Sequence, residues 1–288
     1  MPIGESELIL NADGSIYHLN LLPEDIAPTV IVVGDPNRVQ QVSRYFDTIE
    51  LKKQKREFLT HTGMLNGKRL TVLSTGIGTG NIDIVLNELD ALVNIDFSTR
   101  EIKPTGNTLD IVRIGTSGAL QPDIPVDSFL LSHYAIGLDG ILHFYEKEHV
   151  EIDEMTQSLI AHLGWTEKGI VPYTTICHQE LEKQLESNRI RLGMTLTNAG
   201  FYGPQGRELR LKQKLTDFHS KLASFRYQDK SITNLEMETA TIYGLSRLLG
   251  HRAVSLNAIL ANRPLGTFSK NPLKMVDSLI KLSLELLT

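Results

Sequence analysis

Only one cysteine, Cys177, stands among the 288 residues, so no intramolecular disulfide can close and no cysteine-rich zinc site exists. No apolar run approaches the ~20 residues that a membrane span requires. Met1 to Ile16 is polar and mixed, without the apolar core of a secretion signal. Positive charge is in short supply as well. The 29 Lys and Arg are outnumbered by 34 Asp and Glu, giving a formal net charge of −5, which is not the balance of a nucleic-acid-binding surface. There is no serine–histidine–acid order, no metal-ligand spacing, no P-loop, no internal repeat and no low-complexity linker. These absences predict a protein of the reducing cytoplasm with no nucleic-acid or membrane partner. With 41% hydrophobic residues and no boundary signal, residues 1–288 read as one domain.

What the chain does have is glycine-bearing turns after short apolar runs. They are Gly34-Asp35-Pro36-Asn37-Arg38, Gly76-Ile77-Gly78-Thr79-Gly80 and Arg113-Ile114-Gly115-Thr116-Ser117-Gly118. Each sits where a parallel strand would hand over to a loop or helix, the place where open α/β sheets bind ligands. Glycine lets the backbone approach a ligand, and arginines such as Arg38 and Arg113 pair bidentately with phosphate oxygens. The combination predicts a small-molecule enzyme that holds a free or bound phosphate.

Val30–Val33, Arg69–Ser74, Leu109–Ile114, Asp127–Ser132, Gly193–Thr197 and Ala253–Leu260 read as strands. Asn37–Tyr45, Ile82–Val93, Asp153–Leu163, Asn234–Leu249 and Pro272–Leu287 read as helices, with Pro36 suited to a first turn and Gly250 to a C-terminal stop. This alternation predicts an α/β protein with three α/β/α layers around a mostly parallel, twisted, mixed sheet. Residues 96–108 have turn composition and read as a surface excursion. Residues 201–229, charged and aromatic, read as a substrate loop or lid.

Each motif also has an ordinary explanation. Gly76-x-Gly-x-Gly misses the dinucleotide spacing by one residue, and Asp96 follows a helix instead of ending a strand, which disfavours a nicotinamide enzyme. Arg113 at a strand end is costly unless paired, either in an ion pair or with an anion. Glu236-Met237-Glu238 would favour a helix N-terminus, or present one carboxylate to a cis-diol; two positions apart, the two would point to different sides of a helix. Alone, His18 reads as structural, and Lys52-Lys53-x-Lys55-Arg56 as a solvated face. His133, His143, His149 and His178 form no ligand pattern.

Taken in order, several segments resemble the nucleoside phosphorylase-I family, and its uridine-cleaving branch most. They are Tyr17-His18-Leu19, Gly34-Asp35-Pro36-Asn37-Arg38, Arg56-Glu57-Phe58, Ser74-Thr75-Gly76-Ile77-Gly78, Arg113-Ile114-Gly115-Thr116-Ser117-Gly118, Phe201-Tyr202-Gly203-Pro204-Gln205-Gly206-Arg207, Glu236-Met237-Glu238-Thr239-Ala240 and Asn262-Arg263. The resemblance runs from about Ile16 to the C-terminus, with 1–15 as an extension. It implies reversible phosphorolysis of uridine, and of related pyrimidine nucleosides, to base and pentose 1-phosphate. Inorganic phosphate would be co-substrate, and no organic cofactor is implied.

The resemblance gives Gly34, Arg38, Arg113 and Thr116 to phosphate, with Arg56 arriving from a neighbouring subunit. His18 would cross the same interface to the ribose. Glu236, Met237 and Glu238 would hold the sugar, and Phe201, Gln205, Arg207 and Arg263 the base. Arg38, Arg113, Gln205, Arg207 and Glu238 carry the catalytic expectation. A homodimer is the minimum unit implied, assembled as a trimer of dimers. A monovalent cation is implied at Glu57, Ile77 and the serine position that Asn81 occupies here. A purine phosphorylase, a nucleosidase on the same fold and a non-catalytic nucleoside- or phosphate-binding protein stay open as alternatives.

Overall fold

The computed structural model describes residues 2–147, 150–165 and 168–288. The β-branched run Thr29–Val33 forms strand β1, buried along its whole length. Burial of both faces suits a parallel strand at the middle of a covered sheet. β1 pairs in parallel with β4 (Lys68–Ser74) on one side and β7 (Asp110–Ala119) on the other. β13 (Arg252–Asn262) continues parallel to β7 and meets β8 (Phe129–Gly137) antiparallel. β10 (Ile190–Thr197) runs parallel to both β8 and β12 (Lys230–Glu236). The end of β12 then swings back, pairing Asn234 and Leu235 antiparallel with Ala119 and Gly118 of β7.

Antiparallel strands extend the margins. The hairpin of β2 (Thr48–Lys55) and β3 (Phe58–Leu65) adds to β4, β9 (Tyr173–Ile176) adds to β8, β11 (Arg226–Tyr227) to β12, and β14 (Thr267–Phe268) to β13. β5 (Ile95–Asp96) and β6 (Glu101–Ile102) form a separate small hairpin. Helices cover the sheet in two groups. α1 (Pro36–Ser43), α4 (Gln179–Leu185) and α7 (Pro272–Leu287) pack around β1, β3, β4, β7 and β13. α2 (Thr79–Asn94) and α6 (Thr239–Leu248) pack together, with α6 over β8, β9, β10 and β13. α3 (Asp153–Leu163) and α5 (Phe218–Ser224) close the β9 and β12 margin, where Trp165 stacks on Phe218 at 5.4 Å. The α/β/α architecture expected from the alternation is therefore present. No helix among the described residues is long and apolar enough to cross a membrane.

Three expectations need correcting. Asn234–Leu249 is not one helix: Lys230–Glu236 is strand, and α6 starts only at Thr239. Asn234, Leu235 and Glu236 find ladder partners in Thr195, Leu196 and Thr197, and burial in the sheet overrides their local helix preference. The third glycine motif is not a turn, because Gly115–Gly118 continue β7. The lysine run is only half solvated. Lys53 Nζ reaches Asp25 Oδ2 at 2.6 Å, and Lys55 Nζ donates to Asn11 Oδ1 at 2.8 Å over the Tyr17 ring, so alternate positions of β2 hold the N-terminal segment. That segment is held from a second side by the surface excursion, whose Arg100 guanidinium donates to the carbonyls of Ile3, Gly4 and Leu8.

Gly137, at the end of β8, faces the buried Tyr173 ring so closely that an added Cβ would lie 2.0 Å from its Cζ. The ring is anchored by its hydroxyl on Asp139 at 2.7 Å and cannot easily yield. Gly137→Ala should cost about 1–3 kcal/mol in urea unfolding, as overpacking does.

Candidate active site

The strongest electrostatic feature is a buried arginine. Arg113 lies in the first half of β7 and is 7% exposed. Its Nη2 is 2.6 Å from Glu238 Oε2 and 3.0 Å from Glu236 Oε2. Its Nη1 donates to Asn257 Oδ1 at 2.9 Å and Ser255 Oγ at 3.3 Å. Strand geometry makes room for this. Residues 113 and 115 share a face, and a Cβ on Gly115 would meet Arg113 Nη1 at 2.1 Å. Burial pulls the Arg113 pKa down, but the two carboxylates outweigh it and hold the guanidinium above its ordinary value. Burial pushes the Glu236 carboxyl up, against the pull of Arg113.

The expectation that the two glutamates point apart on one helix is overturned. Glu236 ends β12 and Glu238 is the N-cap position of α6, so both carboxylates converge on Arg113. Their roles nonetheless differ. Both Glu236 oxygens are occupied: they accept from Thr197 Oγ1 at 2.6 Å, from Glu238 N at 2.9 Å and from Thr239 N at 3.0 and 3.1 Å. Glu236 thus closes the N-terminus of α6, where backbone N–H groups and the helix dipole favour an anion. Glu238 Oε1 accepts from Gly78 N at 2.8 Å, which ties the start of α2 to the same centre.

Around this centre lies a cavity of about 780 Å³. Its wall includes Gly34, Arg38, Arg113 and Thr116 together with Phe201, Gln205, Arg207, Glu236, Met237 and Glu238, so these expected site residues are brought together. Pro36 opens α1 at the wall, and Asp35 caps it by accepting from Asn37 N at 2.9 Å. Arg38 donates to Ile114 O at 3.3 Å. Burial lowers the Arg38 pKa, and the nearby Arg113 charge lowers it further; an anion between them would relieve this repulsion. Gly76 has φ +71° and Gly78 φ +92°, conformations that glycine adopts without cost.

Elsewhere in the wall, the Arg207 guanidinium stacks 3.7 Å from the centroid of the Phe201 ring. It also donates to Phe201 O and Gln205 Oε1, each at 2.5 Å. Burial and the neighbouring Arg263 charge lower its pKa to about 10, so it remains cationic at neutral pH. Gln205 is 3% exposed. Arg263 stays outside the lining but supports this loop, donating to Gln205 O at 3.4 Å and lying 2.9 Å from His219 Nε2.

Besides Arg263, two more expected residues are not in this cavity. His18 bonds Glu88 Oε1 through Nδ1 at 2.6 Å, and Arg56 is exposed at the β2–β3 turn with φ +53°. They share one surface, since Lys55 of that turn reaches Tyr17 O and the His18 ring lies 6.4 Å from Phe58. Glu57, Ile77 and Asn81 also line the cavity, where Asn81 Nδ2 donates to Glu57 Oε1 at 3.2 Å. Sequence reasoning missed Asn257, Ser255 and Thr197, which hold the centre, and the wall residues Leu260, Ala261 and Phe268. Ser255 and Asn257 do leave a trace, as polar residues two apart in an otherwise apolar strand. His149 lies outside the described residues.

The chain belongs to the phosphorylase superfamily, whose family model matches residues 28–280. Among its relatives, the uridine phosphorylase of Thermococcus kodakarensis is 31% identical over 258 residues, 90% of this chain and 81% of that protein. The uridine phosphorylase of Haemophilus influenzae is 29% identical over 251 residues, 86% of each chain. A DeoD-type purine nucleoside phosphorylase from Bacillus velezensis is 24% identical over 246 residues, 83% of this chain and 84% of the relative. A solved Trypanosoma brucei nucleoside phosphorylase, described as showing uridine phosphorylase activity, superposes with TM-score 0.86 at 28% identity, over 98% of this chain and 99% of that one.

Removing the central cation would leave two buried carboxylates facing one another. Arg113→Met should therefore lower unfolding free energy by about 3–5 kcal/mol in guanidinium titrations. The double variant Arg113→Met/Glu236→Gln should recover part of that loss. A single-variant cost under ~1 kcal/mol would contradict the triad, since surface pairs are worth that little.

Proposed function

We propose that the chain catalyses phosphorolysis of uridine, giving uracil and ribose 1-phosphate. The observation that carries this is one cavity lined both by a phosphate-type set, Arg38 and Arg113 with the Gly34 turn, and by an amide–guanidinium pair, Gln205 and Arg207. Gly34, Arg38, Arg113 and Thr116 receive phosphate, and Met237 and Glu238 receive the ribose. The Glu238 carboxylate, already oriented by Gly78 N and Arg113, has lone pairs left for a cis-diol. Phe201 packs against the base. Uracil offers carbonyl acceptors and an N3–H donor; Gln205 both donates and accepts, and Arg207 donates.

Replacing the base at C1′ with phosphate builds positive charge on the sugar and negative charge on the departing base. Dianionic phosphate stabilises the first, and the Arg207 cation, held in place by Phe201 and Gln205, stabilises the second. No step needs a covalent intermediate. Glu236 positions Arg113 and α6 from the cavity wall, beside the ribose. The whole chain acts as one phosphorylase domain, in which 1–15 is an extension and 201–229 closes over the base.

A purine-directed reading is less well supported. It calls for a carboxylic acid near the end of β13, and Ile259-Leu260-Ala261-Asn262-Arg263 offers none. Asn262 instead donates to the carbonyls of Gln121 and Ile124. A nucleosidase, which uses water, has no need of two arginines converging on one anion site. Turnover separates all of these from a non-catalytic binding protein.

His18 and Arg56, adjacent on one surface and absent from their own cavity, complete the site of a second copy in a homodimer, and such dimers assemble in threes. The cytoplasm suits such an enzyme and its single reduced cysteine.

Base release from uridine should exceed that from inosine. Gln205→Ala should lower kcat/KM for uridine about 10–100-fold, the loss of a buried hydrogen-bond partner, without changing the KM for phosphate. Inosine preference, or an unaltered Gln205→Ala enzyme, would overturn the assignment. Mixing Arg38→Ala and Arg56→Ala chains, each inactive alone, should restore about a quarter of wild-type activity if sites are shared across a two-fold interface. No recovery after subunit exchange would remove Arg56 from the site.

A further inference from the structure

α6 begins at the catalytic cavity and its last turn lines a second one, of about 540 Å³, outside the phosphorylase machinery. Three side chains converge there. A ring nitrogen of His133, Cys177 Sγ and a Glu182 carboxylate oxygen lie within 4.8 Å of one another, and His133 Nδ1 is 2.6 Å from Glu182 Oε1. They come from β8, from the β9–α4 connection and from α4. The connection is fixed by its backbone: Cys177 N donates to His133 O at 3.1 Å and His178 N to Ala253 O at 2.9 Å. Cys177 is 6% exposed, and the Glu182 side chain 14%.

A second observation concerns the same cavity. Ser246, 1% exposed, lines it, and its hydroxyl has no partner among the described residues; nor does the buried His178 Nδ1. Buried polar atoms without partners cost free energy, so two of them around one cavity point to a polar occupant. One imidazole nitrogen, one thiolate and one carboxylate form a mixed ligand set for a zinc-class ion, and three protein ligands leave one position open. Arg247 also lines the cavity, but its side chain is exposed and its charge is screened by solvent.

We infer that this second cavity binds a divalent ion of the zinc class through His133, Cys177 and Glu182, with the Ser246 hydroxyl and the His178 imidazole meeting the water that completes its shell. Binding forms three bonds to the ion. It exchanges the His133–Glu182 hydrogen bond for two of them, moves the His133 Nδ1 proton by way of solvent to Nε2, and releases the Cys177 thiol proton to solvent.

The test titrates the full-length protein with Co²⁺ and then Zn²⁺. One Co²⁺ per chain should bind and give a sulfur-to-cobalt charge-transfer band, which Zn²⁺ then displaces. Cys177→Ser should abolish the band. Cys177→Ser and Glu182→Gln should each weaken Zn²⁺ binding on the order of 10–100-fold while the circular dichroism spectrum stays that of the parent. A wild-type protein that shows no sulfur band, or Zn²⁺ affinity unchanged in both variants, would overturn the site.

Discussion

A buried cation held between two carboxylates organises this molecule. Arg113 can lie along β7 because Gly115 leaves its face empty. Glu236 reaches it because the end of β12 folds back onto β7. Glu238 reaches it because the chain turns there into α6 and also takes the Gly78 amide. One guanidinium therefore ties β7, β12, β13, α2 and α6 to a single point. Triads of this kind are rarely a net source of stability, since desolvation offsets much of the attraction. What this one provides is position. The groups that would meet phosphate and ribose are held by their own hydrogen bonds before any ligand arrives, and preorganisation of this kind is what transition-state stabilisation requires.

The division of labour between the glutamates follows from hydrogen-bond capacity. Glu236 is saturated by the first N–H groups of α6 and by Thr197. Glu238 accepts one backbone N–H and one guanidinium N–H, and keeps acceptor capacity toward the cavity. Arg207 follows the same economy in the Phe201–Arg207 loop. Stacked on Phe201 and bonded to Gln205, it is a cation whose direction is fixed at some cost in desolvation.

Much of this was legible in the sequence, and the parts that were not share a cause. The strand–helix alternation and the Pro36 helix start follow from local patterns, whereas the clustering of Arg38, Arg113, Gln205, Arg207 and Glu238 was expected only from the family resemblance. The β2–β3 hairpin was invisible because β2 is an edge strand whose alternate lysines look like a solvated run. Its inward positions find Asp25 and Asn11, which are distant in sequence. Residues 234–236 carry helix-forming chemistry, but ladder pairing with β10 decides their state. The support of Arg113 by Asn257 and Ser255 depends on β13 lying beside β7, a long-range fact that no short motif encodes.

In the proposed reaction, phosphate is consumed as a reactant at the Arg38–Arg113 centre. Phosphorus NMR of the full-length protein with uridine and inorganic phosphate tests this most directly. The phosphate signal should fall in step with uracil release, one for one, while a sugar phosphate ester signal grows. Uracil release with the phosphate signal unchanged would contradict it.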